Sequence, residues 1–321
     1  MPALTQETNV AGNRSRLAER PARDDAGALE RGQLRTTPGF YRRAWRRFRR
    51  DRISLAALVV TILVVAFVLG ADLIARYVTG HDYYTGNLFD QFKPPLTDGH
   101  ILGTDVNGRD VLTRMAYGGR VSLLVAGLAG TTALLIGSTI GAVSGYFGGV
   151  TDAVLMRIVD VLLCVPFLSI LILIAALFRP GPVALAIILA LFGWTGVARL
   201  VRGEVLSLRS RDFVDASRVL GANDARIIWR HIMPNIVPIL VVWMSLTIPG
   251  LILTEAALSF LGFGVTVPTP SWGNMLQGAR DYYTRSIANV VIPGLMIYVT
   301  VLAINLVGKG LRDALDPRLN D

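Results

Sequence analysis

Charge is scarce in this sequence. Only 17% of the 321 residues are Asp, Glu, Lys or Arg, against roughly 25% in soluble domains, which argues against a water-soluble globular chain. A single cysteine, Cys164, rules out an internal disulfide framework. The three histidines, His81, His100 and His231, are too few and too widely spaced to suggest a metal centre. The phosphate-cradling pattern GxxxxGK[ST] is missing: Gly308-Lys309-Gly310 lacks the preceding loop. HExxH and GxSxG are missing too, and with them a visible metal site or nucleophile for intramembrane hydrolysis. The chain is therefore expected to be non-catalytic, with no metal and no cofactor of its own. Nor is there an early apolar segment. The first 35 or so residues are polar and aperiodic, so they read as disordered and not as a cleavable signal peptide.

Hydrocarbon is what the chain has in abundance. It is 52% hydrophobic, with mean hydropathy +0.50. A spanning helix needs about 20 apolar residues, and six runs qualify: Ile53 to Ala75 (with Asp72 near its end), one within Val121 to Gly145, Ala153 to Phe178, Pro182 to Leu200, Ile232 to about Ala257, and Ser286 to Gly308. Cys164 and Pro166 in the third run predict packing and a kink. The uncharged stretch 256–279 contains Pro268 and Pro270 among several glycines, so it is expected to form a loop or a short re-entrant piece. The expectation is an all-α polytopic protein of six transmembrane helices. Its predicted parts are a disordered tail 1–40, a basic juxtamembrane segment 41–52, a first transmembrane helix 53–78, an outer segment 79–118, a core 119–310 with a polar loop 202–233, and a tail 311–321.

The distribution of Lys and Arg sets the orientation. With the N-terminus inside, 24 of the 32 basic residues fall on inner segments and 8 on outer ones; without the N-terminal tail the balance is 11 to 8. Both termini and the polar loop are then cytoplasmic. The cluster YRRAWRRFRRDR, Tyr41 to Arg52, carries most of that asymmetry. Next to a span it suits anionic lipid headgroups, with Trp45 and Phe48 at the interface. Binding of nucleic acid would explain the cluster but not the spans, and it is not expected.

Several residues stand out as candidates. In the outer segment ILGTDVNGRDVLTRMAYGGR predicts a tight turn and a short amphipathic helix, with an Asp105–Arg109 ion pair shaping that face. Gly137, Gly141 and Gly145 recur every four residues on one face of the second span, which lets a neighbouring backbone come close. Asp160 and Glu255 are the carboxylates nearest the bilayer interior. They are candidates for a pathway or gating role, the alternative being caps near span ends.

The polar loop between the fourth and fifth spans has the most distinctive pattern. Asp212 to Pro234 reads DFVDASRVLGANDARIIWRHIMP. A short helix from Asp212, stopped at Gly221, and a second from Asp224 to Ile232 with Pro234 after it are predicted. Ala216 and Ser217 are small enough to enter a partner's groove, and Asp215, Arg218 and Arg226 would orient the contact.

Asp215-Ala216-Ser217, Gly221 and His231-Ile232-Met233-Pro234 at these spacings resemble the coupling motif of binding-protein-dependent ABC importer permeases, in particular the peptide/nickel branch. The family's usual Glu-Ala-Ala reads Asp-Ala-Ser here, and its Leu before Pro reads Met. The resemblance covers nearly everything after Gly39. It includes the blocks LGTDVNGRDVLTRMAYGGRVSL, GYFGGVTDAVLMRIVDVLL, RLVRGEVLSLRSRDFV, EAALSFLGFGV, PTPSWGNML and GLRDALDPRL. It implies a type I importer permease fold in a bacterial or archaeal cell membrane. It also implies a second homologous permease as partner, two cytoplasmic ATPases that carry ATP and Mg and grip the 212–234 loops, and an outer substrate-binding protein. Di- and oligopeptides are the implied cargo, with nickel or another small solute as the alternative. A secondary transporter or channel is the rival class. It would be expected to show discontinuous helices with central charges and an internal repeat; no repeat is visible, and such a carrier has no use for the motif.

Overall fold

In lipid a backbone must satisfy its own hydrogen bonds, so uncharged runs of this length can only be helical. The computed structural model describes residues 40–315, and among these no strand forms. The predicted disorder of 1–40 falls almost wholly outside the described residues, as do residues 316–321. By contact the chain divides into Met1–Arg43 and Ala44–Asp321, and the contacts described below all lie in the second.

The helices are α1 (Phe40–Phe48), α2 (Arg52–Leu69), α3 (Ala71–Leu73), α4 (Val111–Phe147), α5 (Gly149–Cys164), α6 (Phe167–Phe178), α7 (Pro182–Leu208), α8 (Asp212–Val219), α9 (Asp224–Arg226), α10 (Met233–Phe260), α11 (Trp272–Arg280) and α12 (Ala288–Leu315). Five helical runs are long and apolar enough to cross a membrane: α2, α4, α7, α9 through α10, and α12. A sixth candidate is the bent pair α5 and α6.

At a rise of 1.5 Å per residue, the 37 residues of α4 reach about 55 Å, well beyond a bilayer core of about 30 Å. The predicted separate amphipathic helix before the second span is thus merged into the span. Asp110 starts it by accepting the Thr113 N–H at 2.7 Å. Gly118 and Gly119 do not break it and serve close packing: a Cβ on Gly119 would lie 2.4 Å from Val68 and 2.7 Å from Trp272.

The central contact is α4 against α7. A Cβ on Gly137 would come 2.5 Å from the Trp194 carbonyl oxygen, one on Gly141 2.5 Å from that of Ala198, and one on Gly145 2.9 Å from that of Arg202. The three glycines thus bring two backbones together. The fourth helix also runs past its expected end near Arg199, to Leu208. Arg199 meets Asp160 at 2.5 Å and Arg202 meets Asp152 at 2.5 Å and 2.6 Å, both on α5, so the charges are paired and need not end the helix.

The third span breaks more sharply than a kink. α5 and α6 meet at 77° across Val165 and Pro166. Proline drives the residue before it out of the helical region, and Val165 is extended at φ −79°, ψ 130°. In the fifth span Pro234 does not follow a completed helix. A π-helical turn, Ile227–Ile232, joins α9 to α10 in one continuous helical run, and Pro234 lies just after that wider turn, inside the run and not beyond its end. The 256–279 stretch forms a turn and then α11, whose capping box pairs Ser271 with Asn274. The two juxtamembrane aromatics stack with centroids 6.0 Å apart but differ in exposure. Trp45 is 55% exposed, and Phe48 is buried beside Ala314 and Leu311.

Candidate coupling site and the buried network

The hairpin between α7 and α10 is built from caps. Arg209 follows α7 and its guanidinium donates to the Gly145 and Tyr146 carbonyls at 3.1 and 3.3 Å, near the C-terminus of α4. α8 carries Asp212 and Asp215 in its first turn, where the helix dipole favours them. Gly221 ends that arm at φ +78°. The Ala222 N–H reaches the Ser217 carbonyl at 3.0 Å and the Gly221 N–H that of Arg218 at 2.9 Å, the paired bonds of a Schellman end. Two residues later Asn223 restarts the chain as a helix by accepting the Arg226 N–H at 2.9 Å.

Buried apolar side chains of both arms and one phenol anchor this hairpin. Val214 is fully buried in a cluster with Ala142, Val201, Val205, Ile227 and Ile232. Tyr146, near the end of α4, donates its hydroxyl to Asp224 at 2.7 Å, and Arg218 lies 5.6 Å from its ring centroid while pairing with Asp215 at 2.9 Å. Both arms therefore rest on Tyr146. The tip beyond them is uncovered: Val219 is 88% exposed and Leu220 86%.

Of the residues singled out in sequence, Asp212, Asp215, Ala216, Arg218 and Gly221 lie exposed along α8 and its turn, and Ser217, half-buried, donates to the Phe213 carbonyl at 2.7 Å. Arg226 is exposed at the end of α9. Half-buried His231 and exposed Pro234 lie farther along the second arm, so the motif is one stretch of chain but not one cluster. Leu220, Tyr146 and Asn223 were missed. The Tyr146–Asp224 bond joins residues 78 apart, which no local pattern reveals. Leu220, an apolar residue just before a helix-stopping glycine in an otherwise polar loop, was the available signal.

The two intramembrane carboxylates differ. Asp160 is half-exposed on Arg199. Glu255 is fully buried, and each of its oxygens accepts a hydroxyl at 2.7 Å, from Ser122 of α4 and Ser259 of its own helix. Ser122 in turn accepts the Trp272 N–H at 3.3 Å and Ser259 that of Val265 at 3.2 Å, while the Trp272 indole donates to the Met115 carbonyl at 2.9 Å. Glu255 thereby ties α4, α10 and α11 together.

The segment 79–118 holds the Asp105–Arg109 pair at 2.9 Å, joined by buried Arg114 at 3.4 Å from Asp105. It also brings together two histidines that are 19 positions apart. His81 and His100 stack with centroids 4.5 Å apart, and His100 Nδ1 lies 2.9 Å from Asp110. Among the described residues no group of three or more His, Cys, Asp or Glu could hold a metal ion.

Helices in this arrangement define a class. Over 63% of its length the chain resembles a chain of the MetNI methionine ABC transporter in an inward-facing conformation, covering 96% of that chain with a TM-score of 0.51 at 19% identity, so the fold is that of an ABC importer permease. Residues 137–321 match the family described as the binding-protein-dependent transport system inner membrane component, and residues 39–95 match the N-terminal transmembrane domain of oligopeptide transport permease C. Curated relatives include the oligopeptide transport system permease protein OppC of Bacillus subtilis, 38% identical over 93% of this chain and 96% of that protein. The dipeptide transport system permease protein DppC of the same organism is 40% identical over 86% and 85%. The glutathione transport system permease protein GsiD of Pectobacterium atrosepticum is 38% identical over 87% and 91%. The chain belongs to the family of binding-protein-dependent transport system inner membrane components: it is a multi-pass permease subunit of the ABC importer type.

Proposed function

We propose that this chain forms half of the translocation pathway of an ATP-driven importer of di- and oligopeptides, and that the 212–234 hairpin is its joint with a cytoplasmic ATPase. The observation that carries the reading is the hairpin tip. Val219 and Leu220 are apolar and almost fully exposed, on a turn held in place by Gly221, Asn223 and Tyr146. An exposed apolar pair on a braced support suits a partner's pocket. A lever must also be stiff, and the bonds from both arms to the end of α4 supply that stiffness.

In this reading both termini and the hairpin are cytoplasmic and residues 79–118 face outward. A second homologous permease completes the pathway. Two ATPase subunits hold the ATP and Mg and carry out hydrolysis, and a substrate-binding protein docks outside. Closure of the ATPases moves the two hairpins and biases a bistable helix bundle between inward- and outward-facing states. Peptide cargo is supported by the oligopeptide and dipeptide permeases among the relatives. Nickel or another small solute is the second reading, favoured by the breadth that the glutathione permease shows.

The broken third span is a feature that a secondary transporter would share. Its break, Leu163 to Leu168, is uncharged throughout, and such a carrier leaves the apolar hairpin tip without a use. Purification of the solubilised chain from its own membranes tests the choice. ATPase subunits are expected to co-purify, and uptake into proteoliposomes to require ATP. Uptake by the isolated chain without ATP would overturn the reading.

A further inference from the structure

α2 and α12 touch tightly at one end and part at the next turn. The Ser54 hydroxyl oxygen lies 3.2 Å from the Leu306 carbonyl, and a Cβ on Gly310 would lie 2.1 Å from the same oxygen. Beyond that contact the small side chains of Ala56, Ala57 and Ala303 leave a gap. The result is an open groove of about 430 Å³, walled almost wholly by hydrocarbon from Ile53, Ala56 and Val60 on one side and Val299, Leu302 and Leu306 on the other. From Arg52 to Val60 it follows α2 for about 12 Å.

One end of this groove is cationic. Arg52 lines its mouth. Arg49 and Arg50, both exposed, stand three and two positions before it in the chain, and exposed Lys309 follows Leu306 by three residues on α12. The adjacent carboxylate, Asp51, is turned to internal use. It accepts the Ile53 N–H at 3.0 Å and the Ser54 hydroxyl at 2.5 Å. The Ser54 bond is the main cause that holds its carboxyl below the ordinary range, with Lys309 adding a smaller pull.

We propose that this groove is a binding site for one anionic phospholipid, with an acyl chain against Ala56, Val60 and Leu302 and the phosphate on Arg52. Apolar walls accept a chain without burying any polar group. The cationic rim then selects the headgroup, at about fivefold for each Lys or Arg near the surface. The site is independent of the cargo.

Native mass spectrometry of the full chain in its assembled complex tests this. The probes are dioleoyl phosphatidylglycerol and dioleoyl phosphatidylcholine, which share their acyl chains. One phosphatidylglycerol is expected to be retained, with a preference of about fivefold or more over phosphatidylcholine. Arg52→Gln should lower that preference about fivefold. Ala56→Phe should fill the groove and lose the bound lipid, and Ala56→Leu, a milder filling, should lose it in part. Equal retention of the two lipids by the unaltered chain would overturn the proposal. So would phosphatidylglycerol retention unchanged by both Ala56 variants, which would leave the headgroup on the arginine cluster alone. Capture of a neighbouring polypeptide, in place of lipid, by a photo-cross-linker at position 56 would assign the groove to a subunit contact and overturn it as well.

Discussion

The two ends of α4 are finished differently. Near its start, Ser122 and Met115 belong to a network in which Glu255, Ser259 and Trp272 satisfy one another within the chain. Near its end, about 36 Å away by the helical rise, Tyr146 braces a hairpin whose tip leaves two apolar side chains exposed. The first end is closed and complete. The second is rigid yet incomplete, as expected of a surface that waits for a partner. Changes at the closed end should therefore be felt as stability, and changes at the open tip as coupling.

Glu255→Ala should have the largest effect on the fold. It would strip Ser122 and Ser259 of their shared acceptor and leave a void, at a cost of about 3 kcal/mol, read as a lower melting temperature of the solubilised protein. Glu255→Gln, which keeps an acceptor, should cost clearly less. Gly141→Leu comes next. Its side chain would enter the space held by Ala198 and Val201, and overpacking of that kind costs about 2 kcal/mol. Melting temperature and ATP-driven uptake should both fall, because the α4–α7 contact is common to both ends.

Tyr146→Phe should sharpen the contrast. It deletes one hydrogen bond to Asp224, worth about 1 kcal/mol, while leaving the ring in place. Hydrogen exchange should then rise in residues 209–226 and remain unchanged around Trp272. Leu220→Asp should move stability least, within about 0.5 kcal/mol for an exposed site, yet remove ATP-driven uptake. If Leu220→Asp unfolded the protein, or if Glu255→Ala left its melting temperature unchanged, the contrast between the two ends would collapse.

Much of the fold was legible because lipid leaves few choices. Long uncharged runs mark helices, and the four-residue spacing of Gly137, Gly141 and Gly145 marks a close helix contact. Helix ends were harder to read. Arg199 marked the expected end of the fourth span, but its partner Asp160 lies 39 positions away, and Arg202 beyond it meets Asp152 50 positions away, so only the folded chain shows them neutralised. Pro234 looked like a stop, but the helical run continues through it, with a π-helical turn just ahead of it. In the hairpin, Gly221 and Asp212 were legible as local punctuation. Tyr146 was not, since its hydroxyl meets Asp224 through a contact between distant segments. Glu255 was legible as an unusual carboxylate, but its hydroxyl partners on two helices were not.

The most direct measurement is cross-linking from the hairpin tip. Leu220→Cys in a Cys164→Ser background places one thiol on the exposed turn of the assembled complex. Efficient cross-linking of that thiol to the ATPase subunit is predicted, together with loss of its reaction with a water-soluble maleimide once the subunits assemble. A thiol that stays fully reactive and uncross-linked in an intact, transporting complex would contradict the assignment of this hairpin as the joint.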